Sequence, residues 1–308
     1  MAQATFKYNN KINGVSLIQE NSFIVKIILF LLFIVFYHSA VWELIQAWLT
    51  NHYYNHGFLI PLISLYIIFF NRKKLSKLEI RPSFYGLIII TLSLIVCAIS
   101  LKVYPSLFLS SISMICFFLG VILFIYGKEY FSVLTFPILY LIFMVPMPTP
   151  LFELIIYPLQ LIASYIGNFF FQLFGVPVFR EGIILHFAPF GVTVARSCSA
   201  MHSLIALSAI SCIVAYFFSD SWGKRVIIVA TSFPLAILFN GFRLVFIILL
   251  AMRFGQWVFD SFLHPLSGKM FFLMALAVLV LESVVLNKVW QRFKFSETSE
   301  KGGKGEKG

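Results

Sequence analysis

Eight stretches of the chain, at about 22–40, 57–71, 83–102, 106–127, 130–146, 198–217, 224–249 and 267–288, are apolar over lengths that match the hydrocarbon core of a bilayer. A helix rising about 1.5 Å per residue needs roughly 20 apolar residues to cross that core. Lipid offers no partner for backbone N–H and C=O groups, so each run must satisfy them internally, as a helix does. Composition agrees. Only 11% of the residues are charged and mean hydropathy is +0.95, where soluble domains run near 25% charged. The expected fold is an all-α polytopic membrane protein with about eight transmembrane helices, forming a single integral membrane domain over residues 1–292. The first run is not followed by a small-residue cleavage site, so it is expected to remain as the first helix instead of leaving as a signal peptide.

The net charge of +11 suits nucleic acid or a membrane surface, and its distribution decides between them. With both termini placed in the cytoplasm, only Lys102, Arg180, Arg196, Arg243, Arg253 and Lys269 fall at the outer side, so 17 of the 23 Lys and Arg residues lie within. That bias follows the positive-inside rule. The block Arg72, Lys73, Lys74, Lys77 and Arg81 is its strongest anchor, and Lys7 and Lys11 add to it. The basicity is therefore topological, and no nucleic-acid surface is expected. The location expected is the plasma (inner) membrane, with multiple passes.

Three segments depart from simple crossings. Residues 41–56, with Trp42, Glu43, Trp48 and His56, read as an outer loop of interfacial aromatics. Residues 151–175 are long enough to span, yet Glu153, Tyr157, Gln160, Ser164, Asn168 and Gln172 form one polar stripe at helical spacing. Such a helix lies along the outer interface, lines a polar cavity, or tilts across with its polar side against other helices. Residues 176–194 hold short β-type runs bounded by Gly and Pro, read as an outer β-hairpin leading into Cys198. Beyond residue 292 the chain turns charged and low in complexity, which predicts a disordered cytoplasmic tail over 293–308.

Polar groups at membrane depth are costly and mark candidate sites. Cys97, Cys116 and Cys212 sit inside apolar runs as small hydrophobes. Cys198 is the one thiol expected at the outer surface, at the start of a helix whose N-terminal dipole favours a thiolate. Its alternative role is a small packing residue. Arg243 falls roughly 20 residues after the inner-side pair Lys224 and Arg225, again near the outer face. It suits an oxyanion stabiliser, or an arginine that snorkels to headgroups. Asn240, one turn earlier, is placed to orient it. His264, just before the last helix, suits a general acid and base, or an ordinary interfacial position. Nucleophile, base and cation on one face are the parts of an acyl-transfer site. Supporting candidates are Arg196, Ser197, Ser199, His202 and His56, with His186 and Asp260 read as ordinary loop residues. No HExxH, Walker loop or paired metal-ligand spacing is present, so no metal or other cofactor is expected.

These residues carry a resemblance. Asn55-His56-Gly57-Phe58-Leu59-Ile60-Pro61, Met144-Val145-Pro146-Met147-Pro148, Cys198-Ser199, Asn240 to Arg243, and His264 with Gly268 together resemble the exosortase/archaeosortase family of multi-pass membrane transpeptidases, over roughly residues 40–290. The resemblance implies a cysteine protease–transpeptidase that processes exported proteins ending in a short motif, one membrane helix and a basic cluster. It implies that Cys198 forms a thioester, His264 handles protons and Arg243 holds developing negative charge, and that the product passes to an acceptor, a lipid among the candidates. One departure stands out: the family shows Cys-Ser-Gly where this chain has Ala200, a residue that fits a helix interior well. The competing reading is a multi-pass permease, or a polysaccharide- or lipid-associated membrane protein without peptidase activity, with the 153–172 stripe lining a path.

Overall fold

Gly86, Ile90, Ser93, Cys97 and Ser100 recur at alternating spacings of four and three residues, the seam pattern of two helices packed side by side. In the computed structural model, which describes residues 22–188 and 190–303, these five residues are the buried line of one helix. The residues are small because apolar side chains gain little by leaving lipid for a helix interface, so close backbone approach supplies the packing. A Cβ added at Gly86 would run into the Phe124 backbone of the facing helix, and one at Gly120 would lie 2.9 Å from Ile90. Ser100 and Ser110 meet across the pair at 2.9 Å.

By its contacts the chain divides into two compact units, Met1–Thr149 and Pro150–Gly308. The first contains α1 (Ser22–Thr50), a 3-10 helix (His52–Phe58), α2 (Leu59–Phe70), α3 (Arg72–Leu75), α4 (Tyr85–Lys102), α5 (Leu107–Ile125), α6 (Lys128–Tyr140) and a 3-10 turn (Leu141–Met144). The pair just described is α4 with α5. Helix α1 runs on to Thr50, so Trp42, Glu43 and Trp48 lie on a helix and not in the outer loop expected there. The expected basic N-terminal residues Lys7 and Lys11 lie outside the described residues.

The second unit contains α7 (Thr149–Leu173), β1 (Val178–Glu181), β2 (Ile184–Phe187), β3 (Gly191–Thr193), a 3-10 turn (Arg196–Cys198), α8 (Met201–Phe218), α9 (Trp222–Phe254), a 3-10 turn (Gln256–Phe259) and α10 (Leu263–Gly303). Helices α8, α9 and α10 pack against one another. At one end of this trio the buried Lys224 donates to Asn287 at 3.0 Å, and the Asn287 amide donates to the Phe218 carbonyl at the end of α8. Helix α10 continues past residue 292 to Gly303, and residues 304–308 lie outside the described residues.

Among the described residues, eight helices are long and apolar enough to cross a membrane. The number matches the expectation, but one member differs. Thr149–Leu173 is among the eight, and the 130–146 stretch is not. The α-helix in that stretch contains Pro137, ends at Tyr140 and gives way to a 3-10 turn. It still runs between the two ends of its unit. Gly127 pairs with Arg81 at its start, while at its far end the Met144 carbonyl accepts from Trp48 Nε1 at 2.8 Å and the Met147 N–H donates to the Tyr54 hydroxyl at 2.9 Å. Seventeen residues of mixed α and 3-10 rise reach about 27 Å, close to the core thickness.

Helix α7 is two-faced, but its buried face holds only Gln160 and Ser164 of the polar stripe, while Tyr157 and Gln172 are exposed. Ile156, Gln160, Ala163, Ser164, Gly167 and Phe171 are buried, and Leu154, Tyr165, Phe169 and Leu173 on the opposite side are exposed. The buried face carries a sheet. The expected hairpin is a three-stranded antiparallel sheet in the order β1-β2-β3, with Glu181 opposite Ile184 and Leu185 opposite Val192. Gly182, at φ 58, turns the first two strands tightly, a conformation that lacks a steric cost only for glycine. Ser164 donates to the Gly182 carbonyl at 2.9 Å, Arg180 stacks over Tyr165 at 3.7 Å, and Phe171 meets Phe187 edge to face. The sheet thus lies against the C-terminal part of α7, from Ser164 to Phe171. Its exposed Glu181 and half-exposed His186 belong in water, which favours a surface position for both elements over a crossing.

Candidate active site

The stretch Val194 to Ser203 is where the structure departs most from a simple helix start. Arg196–Cys198 forms one 3-10 turn, and α8 opens only at Met201. Cys198 therefore precedes the helix and does not sit in its first turn, as the sequence suggested. The break falls at Ala200, at φ 69 and ψ −10, the one non-glycine residue with positive φ among the described residues. A left-handed conformation crowds the Cβ of an L-residue at a cost of about 1–2 kcal/mol, and such strain persists only where the surroundings hold it. The Gly-to-Ala departure thereby gains a physical meaning, because glycine is the residue this conformation favours. Ala200→Gly should stabilise the protein by about 0.5–1 kcal/mol after the added freedom of the unfolded chain is deducted, whereas Ala209→Gly within α8 should destabilise it by about 1 kcal/mol. Thermal unfolding in detergent reads both signs.

Cys198 is buried, 6% exposed, beneath the sheet among Phe171, Leu185, Phe187, Val194, Leu244 and Ile248. Its Sγ lies 3.9 Å from His264 Nε2. His264 stands in the first turn of α10, and Arg243 comes from α9, with Nη2 3.1 Å from the same His264 Nε2. The three residues expected on one face thus meet at a single nitrogen. A guanidinium carries only donors, so this contact requires a lone pair on Nε2 and places the proton of a neutral ring on Nδ1, an assignment inferred from the partner. His264 Nδ1 is itself buried with no hydrogen-bond partner among the described residues. One turn further along α10, a Cβ on Gly268 would lie 3.4 Å from the Arg243 guanidinium carbon. The missing side chain leaves the guanidinium room to lie against α10.

Asn240 was expected to orient Arg243. Its buried amide donates to the Cys198 carbonyl at 2.5 Å. Arg196 pairs with Glu153 of α7 at 2.7 Å. Ser199 is fully buried, and its hydroxyl accepts from the Met201 N–H at 3.5 Å. Ser197 shares the turn. His202 is exposed in the first turn of α8, Asp260 is exposed four residues before His264, and His186 pairs with Glu181 at 3.4 Å. His56 belongs to the first unit, stacked against Tyr54 with ring centres 6.3 Å apart.

Gln160 was missed as a site residue. From α7 it donates to the Val194 carbonyl at 2.6 Å, four residues before the thiol. Its place in the polar stripe was the available signal. Of the six stripe residues, Glu153, Gln160 and Ser164 are engaged with the sheet and the turn.

A family model described as transmembrane exosortase matches residues 48–281, about three quarters of the chain. That range contains Cys198, Asn240, Arg243 and His264. No match was found among curated proteins or among solved structures. Eight apolar helices, the separate elements that carry Cys198, Arg243 and His264, and the matched range lead to one assignment: the chain belongs to the transmembrane exosortase family of multi-pass membrane proteins, with the membrane transpeptidase role that this family carries in general.

Proposed function

We propose that this protein is a membrane cysteine transpeptidase that cleaves the C-terminal sorting signal of exported proteins through a thioester on Cys198 and passes the product to an acceptor. The observation that carries the reading is the convergence of the Cys198 thiol and the Arg243 guanidinium on His264 Nε2, at 3.9 and 3.1 Å.

In the resting state a neutral His264 accepts at Nε2. When a peptide carbonyl approaches, Nε2 takes the thiol proton and the sulfur attacks the carbonyl carbon. Both His264 nitrogens are then donors, so the Arg243–His264 hydrogen bond is lost and two cations face each other. The guanidinium turns to the new oxyanion, where a fixed positive donor lowers the barrier most. The tetrahedral intermediate collapses as His264 returns the proton to the leaving amine, which departs with the membrane-helix end of the signal. The acyl group remains on Cys198. His264 next deprotonates the acceptor nucleophile, which attacks the thioester and restores the thiol. Working on exported proteins places this chemistry on the extracytoplasmic face, with both termini in the cytoplasm, in keeping with the distribution of Lys and Arg.

Mass spectrometry of the product tests this reading. The substrate is an exported protein of the same genome that ends in a short motif, a membrane helix and a basic cluster. Cleavage with an added acceptor mass at the new C-terminus is expected. A free carboxylate identifies hydrolysis in place of transfer. An uncleaved tail in membranes that contain the wild-type protein overturns the proposal.

A further inference from the structure

The turn that presents Cys198 is held from both sides by buried carboxamides. On one side Gln160 of α7, 6% exposed, donates to the Val194 carbonyl at 2.6 Å. On the other, Asn240 of α9, 4% exposed, donates to the Cys198 carbonyl at 2.5 Å. The two carbonyls bracket the segment from the end of the sheet to the thiol. Within that bracket Arg196 is tied to Glu153, again on α7. Immediately beyond it comes the left-handed Ala200. Strain of this kind is retained only where neighbouring contacts over-determine the backbone. Each amide donates to a main-chain oxygen of the segment that carries the sulfur. Asn240 also lies three residues before Arg243 on the same helix, so one rigid element sets both the guanidinium and the nucleophile's carbonyl.

We infer that Gln160 and Asn240 are positioning residues that clamp the strained Cys198 turn between α7 and α9 and hold the thiol at His264. This rests on the proposed role of Cys198 as nucleophile and assigns to α7 a task beyond carrying the sheet. The geometry demands a donor at each position. Glutamate at 160 keeps the size of glutamine, but as a carboxylate it turns an acceptor toward an acceptor, and leucine removes the polar group altogether.

The test uses the full-length protein in nanodiscs, with Cys97, Cys116 and Cys212 replaced by alanine so that Cys198 is the single thiol. Two readouts run in parallel: alkylation of Cys198 by iodoacetamide across pH, which needs no substrate, and cleavage of the sorting substrate. Gln160→Leu, Gln160→Glu and Asn240→Leu should each move the midpoint of the alkylation profile and lower the cleavage kcat about 10- to 100-fold, with KM little changed, as for a misplacement of about 1 Å. Adding Ala200→Gly to Gln160→Leu should restore about threefold or more of the lost kcat, because glycine adopts the left-handed turn without being held there. A general packing defect predicts that Ala200→Gly leaves the shifted alkylation midpoint where it is, since added stability alone does not redirect the thiol. An unchanged profile and kcat in both Gln160 variants would overturn the inference, and so would a defect that Ala200→Gly deepens. Should Cys198→Ala itself still cleave substrate, the proposed function fails, whereas the alkylation profile still decides whether the clamp sets the geometry of the thiol.

Discussion

Replacing Cys198 with alanine should abolish processing of the sorting substrate, lowering its rate by at least about a thousandfold, while the protein inserts and folds as before. The reasoning is local. Cys198 is buried beside Phe171, Leu185 and Leu244, and alanine in its place removes one sulfur without introducing a polar group or a clash. The cost in stability is that of a small apolar deletion, about 1 kcal/mol. The chemical step, in contrast, loses its nucleophile altogether. Serine is the informative companion. Cys198→Ser puts a hydroxyl in place of the thiol, but the weaker nucleophile has a longer reach to make across a separation that is 3.9 Å for sulfur, and it should be nearly as inactive as alanine. Immunoblots of substrate size, set against protein abundance in the membrane fraction, measure both halves of the expectation.

The second large effect belongs to Arg243. Arg243→Ala should reduce kcat by about 10²–10³, equivalent to about 3–4 kcal/mol of lost transition-state stabilisation, as for removal of an oxyanion donor. Arg243→Lys should recover little of it. The guanidinium presents a planar fork of donors, and one arm lies 3.1 Å from His264 Nε2, so another can reach an oxyanion. A lysine ammonium is a single strongly hydrated point of charge on a flexible stem. It keeps the charge and loses the two-way reach. If Arg243 only snorkelled to headgroups, lysine would serve equally well, and near-wild-type kcat for Arg243→Lys would count against the assigned role. Single-turnover cleavage rates distinguish the two cases.

The membrane helices were legible in the sequence because lipid imposes one rule on every residue of a span, and a run of twenty apolar side chains records it. The seam Gly86, Ile90, Ser93, Cys97 and Ser100 follows helical spacing too, but only the facing helix marks these residues out from the rest of an apolar run. What failed is informative. The 130–146 run counts as a full helix by hydropathy, but Pro137 lies within it and Leu141–Met144 form a 3-10 turn before the chain extends at Val145. The site divides in the same way. Cys198, Arg243 and His264 were identifiable singly, because each is a polar group in an apolar context, and one topology put them on a common side. The left-handed Ala200 was not identifiable, since alanine has no preference for that conformation and only the surrounding contacts impose it. The task of Gln160 was hidden for a related reason. Its partner is a backbone carbonyl 34 residues away, and main-chain atoms leave no mark in a sequence.

The covalent intermediate tests the central claim most directly. Purified full-length protein in nanodiscs, mixed with the sorting substrate in the absence of acceptor and quenched with acid, should gain the mass of the substrate's N-terminal portion as a thioester. Peptide mapping should place that mass on Cys198, and neutral hydroxylamine should release it. Cleaved substrate that accumulates with no adduct on Cys198, or with the adduct on another residue, would contradict the account.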